Sequence, residues 1–177
     1  MSKRFSSLLV MIVILSLIFG CGERMTKEQL SALAEKYEKE ESFLEAVKTY
    51  EKLLKKYPED EQADQAQYKI ALINSNNLND FNKSVEAHEK LIKNYPESNY
   101  AAQSFFMIGF IYANNLNDIE KAKKYYQEFL EKYPDNELLS SVKWELEHLG
   151  QDINEIDFLN QQTVDEDDAA KTEQNAQ

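Results

Sequence analysis

Disulfides, glycine-rich phosphate loops and most metal sites are closed to this sequence by shortage, since 177 residues hold one cysteine, four glycines and two histidines. A lone cysteine forms no intramolecular disulfide. A phosphate cradle needs several closely spaced glycines, and two of the four, Gly20 and Gly22, flank Cys21. The histidines fall in different segments, His88 at an apolar-type position and His148 near the end of the last helical stretch. Carboxylates are plentiful, but they sit beside lysines at helical spacing, as Glu51 does with Lys55, and read as solvated surface pairs. No Ser/His/Asp set, metal site or cofactor site can be assembled, so the chain is expected not to be an enzyme. Positive charge is also scarce. A net charge of −12 disfavours nucleic acid and anionic lipid as partners.

The one long apolar run lies at the start. Lys3 and Arg4 precede Leu8 to Phe19, which is interrupted only by Ser16. A helix needs about 20 apolar residues to cross a bilayer, so the run is too short to span and reads as a cleaved secretory signal, residues 1–20. Cys21 closes it. Ile18-Phe19-Gly20-Cys21 resembles the bacterial lipobox, with Phe19 bulkier than that motif prefers, and the resemblance implies that Cys21 becomes an acylated N-terminus. One fatty chain anchors only marginally, whereas the three of a mature lipoprotein hold durably. Loss of Lys3 and Arg4 takes the net charge from −12 to about −14.

Three prolines are the whole supply, and each follows a tyrosine: Tyr57-Pro58, Tyr95-Pro96 and Tyr133-Pro134. They recur every 38 residues, as do Asn76-Asn77-Leu78-Asn79-Asp80 and Asn114-Asn115-Leu116-Asn117-Asp118, which marks a repeat architecture. Proline lacks the N–H that a helix interior needs and so ends the helix before it. Asp60, Ser98 and Asn136 follow as expected N-caps, and Asp80 and Asp118 serve the same purpose after the Asn-rich turns. Apolar residues at three-and-four spacing, such as Phe43, Val47, Tyr50, Leu53, Leu54 and Tyr57, define the second helix of each hairpin. First helices are expected over about residues 28–40, 61–75, 99–113 and 137–149. The sum is seven helices, an all-α fold, with a capping box from Thr26 and Gln29 opening the first.

Small residues where the two helices of a hairpin meet carry a family likeness: Ala34, Ala71 and Gly109 on the first helices, Ala46, Ser84 and Ala122 on the second. An aromatic-type residue stands four later, at Tyr50, His88 and Tyr126. Together with the terminal prolines these resemble the tetratricopeptide repeat (TPR) over residues 27–150, about three and a half repeats. The period is 38 rather than 34, and Leu30 and Gln67 stand where a large aromatic is usual, so the third repeat, with Phe105, is nearest to pattern. The resemblance implies a helical-hairpin solenoid whose first helices line a groove for peptides or partner helices. Residues 21–26 form a short linker. Gly150 suits a helix C-cap, Ile153, Ile156, Phe158 and Leu159 mark a capping segment at 151–163, and the acidic residues 164–177 are expected to be disordered.

Tyr-Pro-Glu-Ser at 95–98 followed by Ala101 and Ala102, and Tyr57-Pro58 followed by Ala63 and Ala66, are similar to repeats of BamD-type outer-membrane lipoproteins of β-barrel assembly. They also resemble the repeats of YbgF-type Tol-Pal coordinators, which are not lipidated. The first likeness implies a lipid-anchored scaffold on the periplasmic face of the outer membrane, binding a membrane-proximal envelope protein. The second implies a Tol-Pal or cell-division adaptor. No contact residue transfers from either.

An aromatic column supplies a candidate surface. Tyr68, Phe106 and Trp144 recur at the same period, with Phe110 one turn beyond Phe106. Leu139, Val142, Leu146 and Leu149 already form a core stripe, so Trp144 faces elsewhere, as Phe106 does beside Phe105, Ile108, Gly109 and Tyr112. Two readings stay open: the rings line a protein-binding groove, or they pack between first helices or under residues 153–159.

Overall fold

The computed structural model describes residues 25–151, and among them every regular element is α-helical. Cys21, the apolar run before it, the segment around Ile153 to Leu159 and the acidic tail lie outside the described residues. The helices are α1 (Lys27–Lys39), α2 (Phe43–Lys56), α3 (Ala63–Asn76), α4 (Phe81–Asn94), α5 (Asn99–Asn114), α6 (Ile119–Lys132) and α7 (Leu139–Glu147). The bounds of α2, α4 and α6 follow the 38-residue period at both ends, whereas α1, α3, α5 and α7 begin 36, 36 and 40 residues apart. Among the described residues, no helix is long and apolar enough to cross a membrane.

The chain divides into two compact units after Tyr57. In the first, α1 and α2 form one hairpin. The expected capping box opens α1, with Thr26 Oγ1 accepting from Gln29 N at 3.3 Å and Gln29 Oε1 accepting from Thr26 N at 2.8 Å. Leu30 and Ala34 are buried on α1, and Ala46, Tyr50 and Leu53 on α2. The Tyr50 hydroxyl donates to Glu38. Burial in the hairpin, then that carboxylate, raises the Tyr50 pKa well above the usual phenol range.

In the second unit, α3 pairs with α4 and α5 with α6, α4 packs on α5, and α7 closes against α6. The tyrosine before each proline closes its helix, with φ near −130° and ψ near 57° at Tyr57, Tyr95 and Tyr133. Proline's ring excludes the helical conformation at the residue before it, so the stop is steric. The turns between helices use Asn79 and Asn117, both at φ 52°, where asparagine tolerates the left-handed region. Glu41, at φ 56°, serves the equivalent turn of the first unit. Asp80 and Asp118 then cap α4 and α6, accepting from Lys83 N and Lys121 N at 3.1 Å each. Gly150, at φ 81°, follows α7 as expected.

Two of the expected caps differ. Ser98 caps α5, but Asp60 and Asn136 accept from Gln62 N and Leu138 N, two residues on, and α3 and α7 begin only at Ala63 and Leu139. Both side chains close a turn before the helix, which is the other local bond these residue types favour. Gln67 also departs from the aromatic usual at its position. It is buried, and its Nε2 donates to the Ala87 carbonyl at 3.0 Å, so the amide replaces ring packing with a satisfied polar tie from α3 to α4.

Candidate protein-binding face

The site begins at a close approach. Gly109, in the middle of α5, lies against the ring of Tyr126 on α6; a Cβ there would stand 2.5 Å from Cε1 and 2.6 Å from Cδ1. The missing side chain lets the two helices close over a fully buried tyrosine. Around it, Ala102, Phe105, Ala122, Phe129 and Val142 form the core of the second unit's C-terminal half.

Also on α5, Phe106 is half-buried against this core, its ring centroid 6.1 Å from Tyr126 and 6.2 Å from Phe110. Phe110 is 37% exposed and Trp144 39% exposed, and Trp144 stacks on His148 at 4.5 Å. No charged residue occurs anywhere in α5, Asn99–Asn114, in a chain that is 29% charged. Uncharged, aromatic and partly exposed surface is the composition of an interface core.

Tyr68 does not belong to that surface. It is buried in the core with Leu91 and Ala101, stacked on Tyr100 at 4.7 Å and edge-on to His88 at 5.5 Å. The reason is tertiary: α3 packs on α4 and also meets α5, and Tyr68 fills the space between His88 of α4 and Tyr100 of α5. Of the column, Phe106, Phe110 and Trp144 remain at the surface, and Tyr68 packs between helices.

The sequence reading missed Glu145. It is half-buried beside Trp144, and burial raises its carboxyl pKa above the usual carboxylate range, offset in part by the Tyr126 hydroxyl and His148. Tyr126 in turn is raised well above the phenol range by burial and by the charge of Glu145. The signal available was the period, which places Lys69, Met107 and Glu145 at equivalent positions next to the column.

His88 is fully buried, with Nδ1 3.0 Å from Ser104 Oγ and Nε2 without a hydrogen-bond partner, and burial pushes its pKa down to about 3. Among the described residues, no group of three or more His, Cys, Asp or Glu is placed to hold a metal.

The tetratricopeptide repeat family matches the chain at residues 32–60, 65–98 and 103–136, which are the three hairpins described above. No individual curated protein matches it.

Proposed function

From the premise that the chain belongs to the tetratricopeptide-repeat family, whose repeats are protein-interaction scaffolds, we propose that it works as a membrane-anchored adaptor of the bacterial envelope. The observation that carries the binding role is the uncharged helix α5 with Phe110 exposed beside a half-buried Phe106, together with an exposed Trp144 on α7. Such rings serve as anchors, and truncating an anchor commonly costs more than about 2 kcal/mol of binding. Phe110→Ala is expected to leave the thermal midpoint of the chain nearly unchanged, because the ring is already partly in water, while recovery of the partner from gently solubilised membranes falls at least tenfold. Equal recovery by Phe110→Ala and wild type would remove this face from consideration.

In this reading the anchor is acylated Cys21, on the periplasmic side of the outer membrane. Support comes from the apolar run that ends at Cys21 and from the short distance to the fold. Met25 O already accepts from Lys56 Nζ at 2.6 Å and from Tyr57 Oη at 3.3 Å, so residue 25 belongs to the first hairpin. The four steps from Cys21 to Met25 reach at most about 14 Å. Partners are therefore membrane-embedded or membrane-proximal. Cys21→Ser is expected to leave an uncleaved, mislocalised precursor, because both lipid transfer and the later cut depend on the thiol. Triton X-114 partitioning and gel mobility identical to wild type would exclude lipidation.

The complex served is β-barrel assembly, on the likeness of Tyr95-Pro96-Glu97-Ser98 and its alanines to BamD-type repeats. Membrane capture tests this as well. A β-barrel assembly protein on the bait supports it, whereas Pal-like or cell-wall proteins assign the chain to the Tol-Pal and cell-division adaptors.

A further inference from the structure

Ile119 lacks the cover that its counterpart one repeat earlier has. Phe81, likewise the first residue of a second helix, packs with Val85, Ile108 and Ile111 in a group that includes Tyr112 and Leu116. Around Ile119 the period puts Leu146, Leu149, Gly150 and Asn154 in place of Ile108, Ile111, Tyr112 and Leu116. Leu146 and Leu149 pack on the neighbouring core, but a glycine and an asparagine cannot close the group as a tyrosine and a leucine do. Ile119 is left 36% exposed. Gly150 stands beside it, since a Cβ there would lie 3.9 Å from Ile119 Cδ1.

We propose that the chain's own segment after Gln151 supplies this cover, Ile153 and Ile156 lying on Ile119 and fastening the end of the array. The chain turns at Gly150, φ 81°, and Gln151 N donates to the His148 carbonyl at 3.0 Å. Three residues span at most about 11 Å, so Ile153 is tethered within that distance of Gly150 and hence close to Ile119. A helix packed on α7 as α6 packs on α5 is a poorer destination for the same segment. Ala102, Phe105 and Gly109 admit α6, and their counterparts Ser140, Lys143 and Glu147 are polar and exposed. Glu147 in particular puts a side chain where Gly109 has none. Charge favours Ile119 too. Lys123 is exposed one turn beyond it on the same side of α6, and the segment brings Asp152, Glu155 and Asp157.

The full chain, held in detergent micelles, serves for the test. With Ile119 replaced by the photoreactive p-benzoylphenylalanine, irradiation should join it to residues 152–159 of the same molecule, as mapped by mass spectrometry, with a yield independent of protein concentration. A crosslink to a second copy or to another part of the chain would overturn the proposal, and so would the absence of any crosslink. Thermal unfolding supplies a second measurement. Ile119→Ala should lower the midpoint by about 4 °C in the wild-type background, and by less than about 1 °C once Ile153→Ala and Ile156→Ala are in place. Equal losses in the two backgrounds would show that these side chains do not meet, and would overturn the docking.

Discussion

Gly109→Ala is expected to destabilise the second unit by about 2 kcal/mol, although alanine is the better helix former by about 1 kcal/mol. The opposing effect is larger. The new Cβ would meet two carbons of the Tyr126 ring at 2.5 and 2.6 Å and a third at 3.0 Å. That ring is fully buried among Phe106, Phe129 and Val142, so it has no free direction in which to yield. Overpacking of this kind costs about 1 to 3 kcal/mol, and an approach this close belongs at the upper end or beyond. In a unit of this size a loss of about 2 kcal/mol lowers the thermal midpoint by roughly 10 °C. A double-mutant cycle isolates the cause. With Tyr126→Leu already in place the contact is gone, and Gly109→Ala should become stabilising by about 1 kcal/mol. Destabilisation of equal size in both backgrounds would show that the glycine is kept for some other reason.

Acid should unfold the protein through His88 before its carboxylates matter. The folded-state pKa is lowered to about 3 by burial, against 6.5 for the free side chain. Between those values the unfolded chain binds a proton that the folded chain refuses, so stability falls as pH falls through 6.5 and continues to fall until about pH 3. From pH 7 to pH 5 the loss is about 2 kcal/mol. Facing the ring are Tyr68 and Ser104, neither of which supplies an anion to stabilise an imidazolium. Asp80 and Asp118 act in a lower window. Hydrogen bonds from Lys83 and Lys121 depress their pKa values, so their contributions are present above pH 3.8 and vanish only below it. Urea denaturation of wild type and His88→Phe at pH 7 and pH 5 separates the two. The wild-type midpoint should drop and the variant's should not. Parallel curves would mean that His88 is protonated in the folded state.

Sequence made the helices and turns legible because each boundary is local. The Tyr-Pro pairs stop helices by sterics, Asp80 and Asp118 cap the next ones, and the asparagines adopt the backbone their turns require. Gly109 and Tyr126 were each marked by the family likeness, as the small residue of a first helix and the aromatic of a second, but their direct contact comes only from the structure. Tyr68 was not. Helical periodicity says which side of α3 a residue occupies, and it does not say how many neighbours that helix has. Buried residues cover most of α3, from Ala63, Ala66 and Gln67 to Ile70, Ala71 and Ile73, and the side left open runs through Gln65, Lys69, Leu72 and Asn76 and does not include Tyr68. Glu145 escaped for a related reason. An acid in a chain so rich in acids carries no mark, and its meaning comes from the buried ring of Tyr126, which approaches it from another helix.

Besides the bond between His88 and Ser104, which spans 16 residues, three hydrogen bonds that tie neighbouring repeats of the second unit bridge nearly the same length of chain. Tyr95 Oη donates to Pro58 O at 3.0 Å, Ser98 Oγ to Asp64 Oδ2 at 2.6 Å, and Tyr125 Oη to Glu89 Oε1 at 2.6 Å, with separations of 37, 34 and 36 residues. Each therefore joins a residue to its counterpart region one repeat earlier, and none reaches across two. A tandem duplication of residues 58–95 would keep all three ties, whereas one of residues 96–133 would set the second Ser98 and Tyr125 opposite Ala102 and Gln127 instead of Asp64 and Glu89.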